Sequence, residues 1–469
     1  MRPLGAVLLT AFLATPAGAV RQRGVGSAGT DGEVGERRVG VYVMLPLDVV
    51  SENRALRSPK TLEKQLDQLV VAGGDGFMVN VWWGLTEVLP RKYDFDPYLE
   101  LAGMAAERRL KVKLAASFHQ CGDNANDECH ITLPEFVLSD KNKDIWFRDR
   151  ANIFQPGIHL DLRRQGLCRL VPRQVKLDDG RSPLDMYRDW LRALSHTFAD
   201  FFDAGTIVEV HVGLGPSGHL RYPSHSARNG WTYPGVGEFQ AYDTYARRSW
   251  LSATPGEGPW PDPPADAGDI LYNSRPWDTA FFTQGYRSAY GKFFLGWYFA
   301  GLLRHGEAVL AVARGELPDR QLAMTVAGVH WYYGLASHAA ELTAGYCNIE
   351  DQLVDPYKTI AFMAARYGVA LGLTGLEMRD GQEPEKDAVS SPERLVQQVI
   401  QASRYAGVQL HGENALPFED ATSYNHVLRF KRDLTEFTFL RLSDKLLQGE
   451  TFNRFREFVA RMVGTSTPI

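Results

Sequence analysis

The sequence predicts an α/β fold, a (β/α)8 TIM barrel with long loops at the C-terminal face. Short apolar runs rich in β-branched and aromatic residues alternate, from Val39 onward, with longer stretches of helical character. Eight such runs occur. The two longest intervals, residues 120–182 and 214–284, each follow a predicted strand. Because the loops after the strands of such a barrel build its active site, we expect the functional residues there.

The predicted elements follow one another as strand and helix. The strands begin near Val39, Phe77, Val112, Ile207, Leu322, Leu342, Leu371 and Val408. The helices are expected over residues 61–72, 97–109, 183–202, 286–314, 356–366 and 392–405. The proline content of residues 254–268 argues against regular structure in the second long interval.

Composition excludes several classes of protein. The 469 residues contain 51 Lys and Arg against 56 Asp and Glu, a net charge of −5, which excludes a basic nucleic-acid-binding surface and a polyanionic tail. Hydrophobic residues at 44% and charged residues at 23% are typical of a globular protein with a large core. The four cysteines are too few for a disulfide-built scaffold and lack zinc-site spacing.

The N-terminus has the pattern of a targeting segment. Arg2 precedes an apolar run over residues 4–14, and Ala17-Gly18-Ala19 has the small residues of a cleavage site. We predict a signal peptide over residues 1–19, a disordered linker or transit segment over 20–38, and a single domain over 39–469. The apolar run is shorter than the ~20 residues of a membrane span. No Asn-x-Ser/Thr acceptor exists, so secretion and plastid delivery both stay open.

Polar and aromatic residues stand at the carboxyl ends of the predicted strands. Tryptophan stacks on sugar rings, while His, Asn, Thr and carboxylates bind hydroxyls, so this set predicts a carbohydrate cleft. Any single member is also explained as a core or rim residue, but convergence from five or more strands favours a shared pocket. The set comprises Asn80, Trp82, Trp83, His119, His211, His219, Thr325, His330, Trp331, Thr374, Glu377 and Glu413.

Nine segments, in this order, resemble the β-amylase family of glycoside hydrolases over residues 39–465. They are YVMLPLDVV, GFMVNVWWG, ASFHQCG, GLGPSGHLRYPS, GVHWYY, HAAELTAGY, LTGLEMRD, GENALP and FLRLSD. The resemblance implies a (β/α)8 barrel that releases maltose from the non-reducing ends of α-1,4-glucans with inversion. It also implies that neither a metal nor an organic cofactor takes part.

The resemblance assigns roles to individual positions. Glu413, in GENALP, stands at the position of the family's general base. Inverting hydrolysis needs such a base, which activates water, and an acid on the opposite side of the bond. Substrate-binding positions of the family are matched by His119, Asp127, His330, Thr374, Asn414, Ala415, Leu416 and Arg441, and Trp331 is expected either to stack on sugar or to close the barrel wall.

Four positions depart from the family pattern. His219, in GPSGHLRYPS, stands where the family has its general acid, the glutamate of GPAGELRYPS-like segments. Asn80 replaces an aspartate that holds the glucose beside the cleaved bond, Thr325 replaces a lysine that binds the next glucose, and His211 replaces a further glutamate. A carboxylic acid donates its proton and becomes negative, whereas an imidazolium ends neutral and offers the oxocarbenium-like charge no attraction. Loss of general-acid help alone lowers the rate by about 10² to 10⁴, roughly 2.7 to 5.4 kcal/mol.

We therefore predict an α-1,4-glucan-binding protein with impaired or lost hydrolysis. One alternative is an active exo-amylase in which His219 acts as the replacement acid and His211 tunes its pKa. Another is a non-catalytic scaffold or interaction protein, and in either case we allow for a protein partner in starch metabolism. The histidines could also bind a different ligand, including a metal ion, but the sequence alone identifies no set of metal ligands. Cys121, beside the loop after HQCG, is either a redox-sensitive residue or a buried packing residue.

Overall fold

Eight parallel strands close into a barrel in the computed structural model, which confirms the predicted (β/α)8 fold. The structure describes residues 37–122, 127–139, 145–151, 154–158, 179–254, 262–349, 354–382 and 387–464. The predicted signal peptide and residues 20–36 of the predicted linker lie outside these ranges. The strands are β1 Gly40–Met44, β2 Gly76–Trp82, β3 Lys111–Ser117, β4 Trp146–Arg148, β5 Phe154–Ile158, β6 Ile207–Val212, β7 His219–Leu220, β8 Gln321–Val326, β9 Val369–Leu373, β10 Leu410–Glu413 and β11 Glu436–Leu440.

The barrel runs in the order β1, β2, β3, β6, β8, β9, β10 and β11, and β11 pairs with β1 to close it. The two-residue strand β7 pairs in parallel alongside the carboxyl end of β8. The strands β4 and β5 form a separate antiparallel pair within the first long loop. The helices are α1 Pro59–Val71, α2 Trp83–Thr86, α3 Asp96–Glu107, α4 Glu135–Leu138, α5 Pro183–Thr197, α6 Ala199–Asp203, α7 Thr244–Ala253, α8 Ala280–Thr283, α9 Ala289–Glu316, α10 Ala339–Ala344, α11 Pro356–Tyr367, α12 Pro392–Ala406, α13 Ala421–Leu428 and α14 Gly449–Val463.

Local sequence explains where the longer helices begin and end. Ser182 caps α5 through a reciprocal pair of bonds with Asp185, and Ser288 accepts a hydrogen bond from the backbone of Gly291 at the start of α9. Gly368 and Gly407 end α11 and α12 in the left-handed conformation that glycine adopts without strain. None of the described helices is long and apolar enough to cross a membrane.

One predicted strand is wrong. The apolar run near Leu342 forms the helix α10, all six residues of which are buried, and Gly345 ends it with φ of 105°. A short buried helix and a buried strand have the same apolar sequence pattern, so periodicity could not separate them. The missing barrel strand is β11, where the aromatic residues of EFTFL are buried, and β11 lies between β10 and β1.

The lumen of the barrel holds charged side chains. Lys113 of β3 contacts Glu436 of β11 and lies 3.3 Å from Glu209 of β6. Since β3 and β11 are not neighbouring strands, these side chains meet across the lumen rather than along the sheet. The floor beneath the carboxyl-terminal face is therefore an ionic network rather than an apolar layer.

Candidate active site

Glu413 ends β10 at the face where the long loops lie. It pairs in register with Thr438 of β11, and its side chain is buried. Burial raises the pKa of the Glu413 carboxyl above its ordinary value, while His211, Lys113 and Arg441 oppose that rise. A carboxylate with a raised pKa is a stronger base, which fits the activation of water.

The loop after Glu413 is fixed by side-chain hydrogen bonds. The Asn414 amide nitrogen donates to the carbonyls of Leu416 and Leu440, at 3.0 and 2.8 Å, and its oxygen accepts from the Leu440 amide at 2.8 Å. The Glu377 carboxylate accepts from the amides of Ala415 and Leu416 at 3.0 and 2.7 Å. Asn414 and Glu377 thus hold the backbone while Ala415 and Leu416 stay exposed. The sequence predicted that Glu377 lies in the cleft but did not predict this positioning role. The position of Glu377 three residues after Thr374 does not indicate that its carboxylate bonds the loop after Glu413.

His219 lies in β7, where it pairs with Thr325 of β8. Thr325 is buried beside Gly372 of β9, and a Cβ on that glycine would lie 2.8 Å from the Thr325 hydroxyl. The glycine therefore leaves the space that the threonine side chain occupies.

The electrostatic environment keeps His219 neutral. Desolvation, together with the charges of Arg221 and His119, lowers the pKa of His219 to about 3. Burial and Arg221 likewise lower the pKa of His119 to about 3. His119 packs edge-on against Trp82, with ring centroids 5.1 Å apart. Both imidazoles are consequently uncharged at neutral pH.

Several aromatic candidates are packing residues. Trp82 and Trp83, predicted to line the cleft, are almost fully buried, and their indole nitrogens donate to Leu47 and Glu87. Trp331 is 9% exposed, donates to the Gly235 carbonyl at 3.0 Å and packs against other aromatic rings. Its geometry favours the barrel-wall alternative over sugar stacking.

His330 and Thr374 lie on adjacent loops of the same face. His330 Nδ1 lies 2.7 Å from the Ser390 hydroxyl, and burial lowers the pKa of His330 to about 4. Thr374 follows β9, and a Cβ on Gly328 would lie 2.8 Å from its hydroxyl. Both side chains are partly exposed, which leaves them accessible to a ligand.

Neither Asn80 nor His211 supplies the carboxylate that the family resemblance implies at its position. The Asn80 amide oxygen on β2 accepts a hydrogen bond from the Ser117 hydroxyl at 3.0 Å. His211 Nε2 lies 2.7 Å from Glu209 Oε1 and points along the lumen below Glu413. His211 therefore bonds an acidic side chain of its own strand.

Asp127 and Arg441 connect the first long loop to the pocket. The Asp127 carboxylate accepts from the Gly122 amide at 3.0 Å. Burial lowers the pKa of Arg441, and the charges of Glu413 and Asp127 oppose this, so Arg441 lies within electrostatic range of both. A disulfide joins Cys121 to Cys129, with Cα atoms 5.7 Å apart, and closes the loop that holds Asp127. Sequence analysis treated Cys121 alone and missed this pairing.

The structure thus brings Glu413, Asn414, Thr325, Thr374 and His219 to the carboxyl-terminal ends of barrel strands. The contacts of all the candidate residues with a glucan remain predictions.

Comparison with known proteins places the chain among glycoside hydrolases. The family model described as "Glycosyl hydrolase family 14" matches residues 42–468. "Beta-amylase 2, chloroplastic" of Oryza sativa subsp. japonica is 42% identical over 447 residues, which cover 91% of this chain and 78% of the relative. "Beta-amylase" of Glycine max is 39% identical over 444 residues, covering 90% and 87%. The crystal structure of the catalytic domain of β-amylase from Paenibacillus polymyxa superposes with a TM-score of 0.72 at 25% identity, covering 92% of this chain and 99% of that chain.

Proposed function

The chain belongs to glycosyl hydrolase family 14, the β-amylase family, and from this premise we propose that it binds the ends of α-1,4-glucans but hydrolyses them weakly or not at all. The β-amylase family acts on α-1,4-glucan substrates, so the pocket at the carboxyl-terminal face is the site proposed for them. Under this proposal the chain still binds the family's substrate but cleaves it slowly or not at all.

The observation that carries the proposal is the histidine at position 219, where the family resemblance implies a glutamate. Desolvation and the charge of Arg221 lower the pKa of His219 to about 3, so the imidazole is overwhelmingly neutral at pH 7. Cleavage of a glycosidic bond requires a proton on the leaving oxygen. A side chain that is almost never protonated supplies that proton rarely, and it leaves no negative charge to stabilise the transition state.

Two further substituted positions, Asn80 and Thr325, are also expected to slow hydrolysis. Asn80 is a neutral amide that already accepts from Ser117, and Thr325 offers a hydroxyl where the family resemblance implies an ammonium. Neither side chain contributes charge to the pocket. These losses need not add to that at His219, because residues that act as a unit are non-additive.

The binding half of the site supports retained affinity. The loop over residues 414–416 is held by Glu377 and Asn414, and it presents the exposed Ala415 and Leu416. Preorganised loops of this kind bind with a smaller loss of conformational entropy. Retention of glucan is therefore expected even where turnover is slow.

An active β-amylase is the second candidate function. Its support is Glu413, whose raised pKa suits a general base, together with relatives that are named β-amylases. Asp127 adds a carboxylate whose charge acts on both Arg221 and Arg441. In this alternative, His219 would deliver the proton.

Maltose release from soluble starch, measured beside calorimetric binding of maltotetraose, separates these functions. The comparison uses wild type and the combined His219→Glu, Asn80→Asp, Thr325→Lys variant. Binding by wild type, with turnover at least about 100-fold below that of the combined variant, supports the proposal. Equal turnover contradicts it, and absence of binding would instead support a scaffold that serves a protein partner.

His219→Gln is the matched control, since glutamine is neutral and of similar size. Under the proposal, His219→Gln leaves the small wild-type turnover unchanged. If His219 is the replacement acid, the same substitution abolishes turnover and spares binding. Glu413→Gln in the combined variant should remove the recovered activity, because that activity needs the base.

We also propose that the protein is delivered to plastids. Two rice relatives carry "chloroplastic" in their names, which supports a plastid address over residues 1–38. A fluorescent protein fused behind residues 1–38 should accumulate in plastids. Its appearance in the culture medium would support the secretory alternative.

A further inference from the structure

A cluster of three metal-ligating side chains lies in the lumen of the barrel, below Glu413. Glu209 and His211 project from β6 and His411 from β10, and all three are buried. Residues two apart on a strand share one face, so His411 and Glu413 both point into the lumen. One ligand atom from each of the three residues lies within 4.8 Å of the others.

The ligand atoms converge on one carboxylate oxygen. Glu209 Oε1 lies 2.7 Å from His211 Nε2 and 3.6 Å from His411 Nδ1. A tetrahedral zinc ion with bonds of about 2.1 Å needs ligand atoms roughly 3.4 Å apart. The present separations are 2.7 Å, 3.6 Å and at most 4.8 Å, so shifts of no more than about 1.4 Å would let the three atoms receive such an ion.

His411 supplies an independent observation. Its side chain is 2% exposed, and its Nδ1 atom makes no hydrogen bond to any residue in the described part of the chain. A buried ring nitrogen without a hydrogen-bond partner can act as a lone-pair donor to a metal ion. The other ring nitrogen lies 3.7 Å from Glu436 Oε2, a carboxylate placed to orient the ring.

The charges in the lumen also favour a cation. The carboxylates of Glu209, Glu436 and Glu413 surround a single ammonium, that of Lys113. Apart from the histidines, these three carboxylates outnumber the nearby cations, Lys113 and Arg441, by one, so the lumen keeps a net negative charge that favours a bound cation. Lys113 already contacts Glu436, so it keeps a partner if the metal takes Glu209.

We propose that Glu209, His211 and His411 bind one divalent transition-metal ion of the zinc class within the barrel. Two imidazoles and one carboxylate suit zinc, and water from the pocket above would complete four-fold coordination. The ion would tie β6 to β10 across the lumen and so fix the strand that ends in Glu413. This inference does not rest on the proposed function, because neither glucan binding nor hydrolysis is used to argue it; His211 was predicted to line the cleft, but in the structure it bonds Glu209.

Zinc titration of the chelator-treated full-length protein tests the inference. With a chromogenic chelator as competitor, wild type should bind about one Zn²⁺ per chain, and Co²⁺ should give the visible absorption of a tetrahedral site. His411→Ala should weaken zinc binding at least about 100-fold, and Glu209→Gln should weaken it similarly. His196→Ala, an exposed histidine on α5, should leave it unchanged.

Three results would overturn the inference. The first is wild-type protein that retains no zinc above the buffer background, a measurement that needs no variant to fold. The second is a folded His411→Ala variant, checked by circular dichroism, that binds zinc as tightly as wild type. The third is loss of zinc binding in the His196→Ala control, which would indicate a surface site rather than one in the lumen.

Discussion

His219 and Thr325 lie side by side, paired in parallel register where β7 lies alongside the carboxyl end of β8. Two of the positions that depart from the β-amylase pattern are therefore direct neighbours. A substitution at either one changes the electrostatic environment of the other, and residues in such contact have coupled effects on free energy.

This contact predicts non-additive recovery of activity. His219→Glu alone places a carboxyl beside Arg221, whose charge holds that carboxyl ionised and unable to donate a proton. We expect less than about 100-fold gain in maltose release from His219→Glu alone, and a larger gain when Thr325→Lys and Asn80→Asp are added. A double-mutant cycle on turnover measures the coupling. Strictly additive gains would contradict it, and Thr374→Ser serves as a conservative control elsewhere in the pocket.

The lowered pKa of His219 predicts acid sensitivity. The pKa of about 3 in the folded state lies below the ordinary value near 6.5, so the unfolded chain binds more protons between these values and stability falls as pH falls. Between pH 7 and pH 5 the loss through His219 is at most about 2 kcal/mol. His219→Gln should reduce the pH dependence of the unfolding free energy, and His196→Gln should not. Nuclear magnetic resonance of the imidazole nitrogens should show neutral His219 at pH 5, and a transition near pH 6.5 would refute the assignment.

The disulfide between Cys121 and Cys129 predicts a loss of stability on reduction. The bond closes a short loop, with a sequence separation of 8, that includes Asp127. Chain-entropy reasoning gives about 2.5 kcal/mol for a loop of this length. Cys129→Ser should lower the free energy of unfolding by about that amount, as measured in denaturant. A reductant should destabilise wild type but not Cys129→Ser, and equal effects on both proteins would argue against the bond.

The hydrogen bonds of Glu377 predict that its substitution weakens maltotetraose binding more than it lowers the stability of the fold. Its carboxylate accepts from the amides of Ala415 and Leu416, so Glu377→Gln replaces charge-assisted bonds by neutral ones. We expect weakening of maltotetraose binding by about 1 to 2 kcal/mol, roughly 5- to 30-fold, with a smaller change in unfolding temperature. Calorimetry and thermal unfolding measure the two effects. Unchanged affinity would show that the loop over residues 414–416 needs no such support.

The pattern of the sequence predicted most of the barrel, because alternating apolar runs and helical stretches are local properties. Seven of the eight predicted strands begin close to observed barrel strands. The exception, near Leu342, is a buried helix, and burial on all sides gives a helix the same apolar pattern as a strand. The strand that replaces it, β11, is recognised by its position between β10 and β1.

By itself the sequence determined the fold class and the identity of the side chains at the strand ends, including the imidazole at residue 219 and the surviving Glu413. Only the tertiary structure decided how those groups behave. The pKa of about 3 at His219 arises from desolvation, from Arg221 two residues along the chain and from His119, and both the desolvation and the approach of His119 exist only in the folded chain. Likewise, Glu209 and His411 lie about 200 residues apart and meet because closure of the barrel turns their strands toward one lumen. Such burial and proximity depend on the packing of distant segments, which no local pattern of residues records.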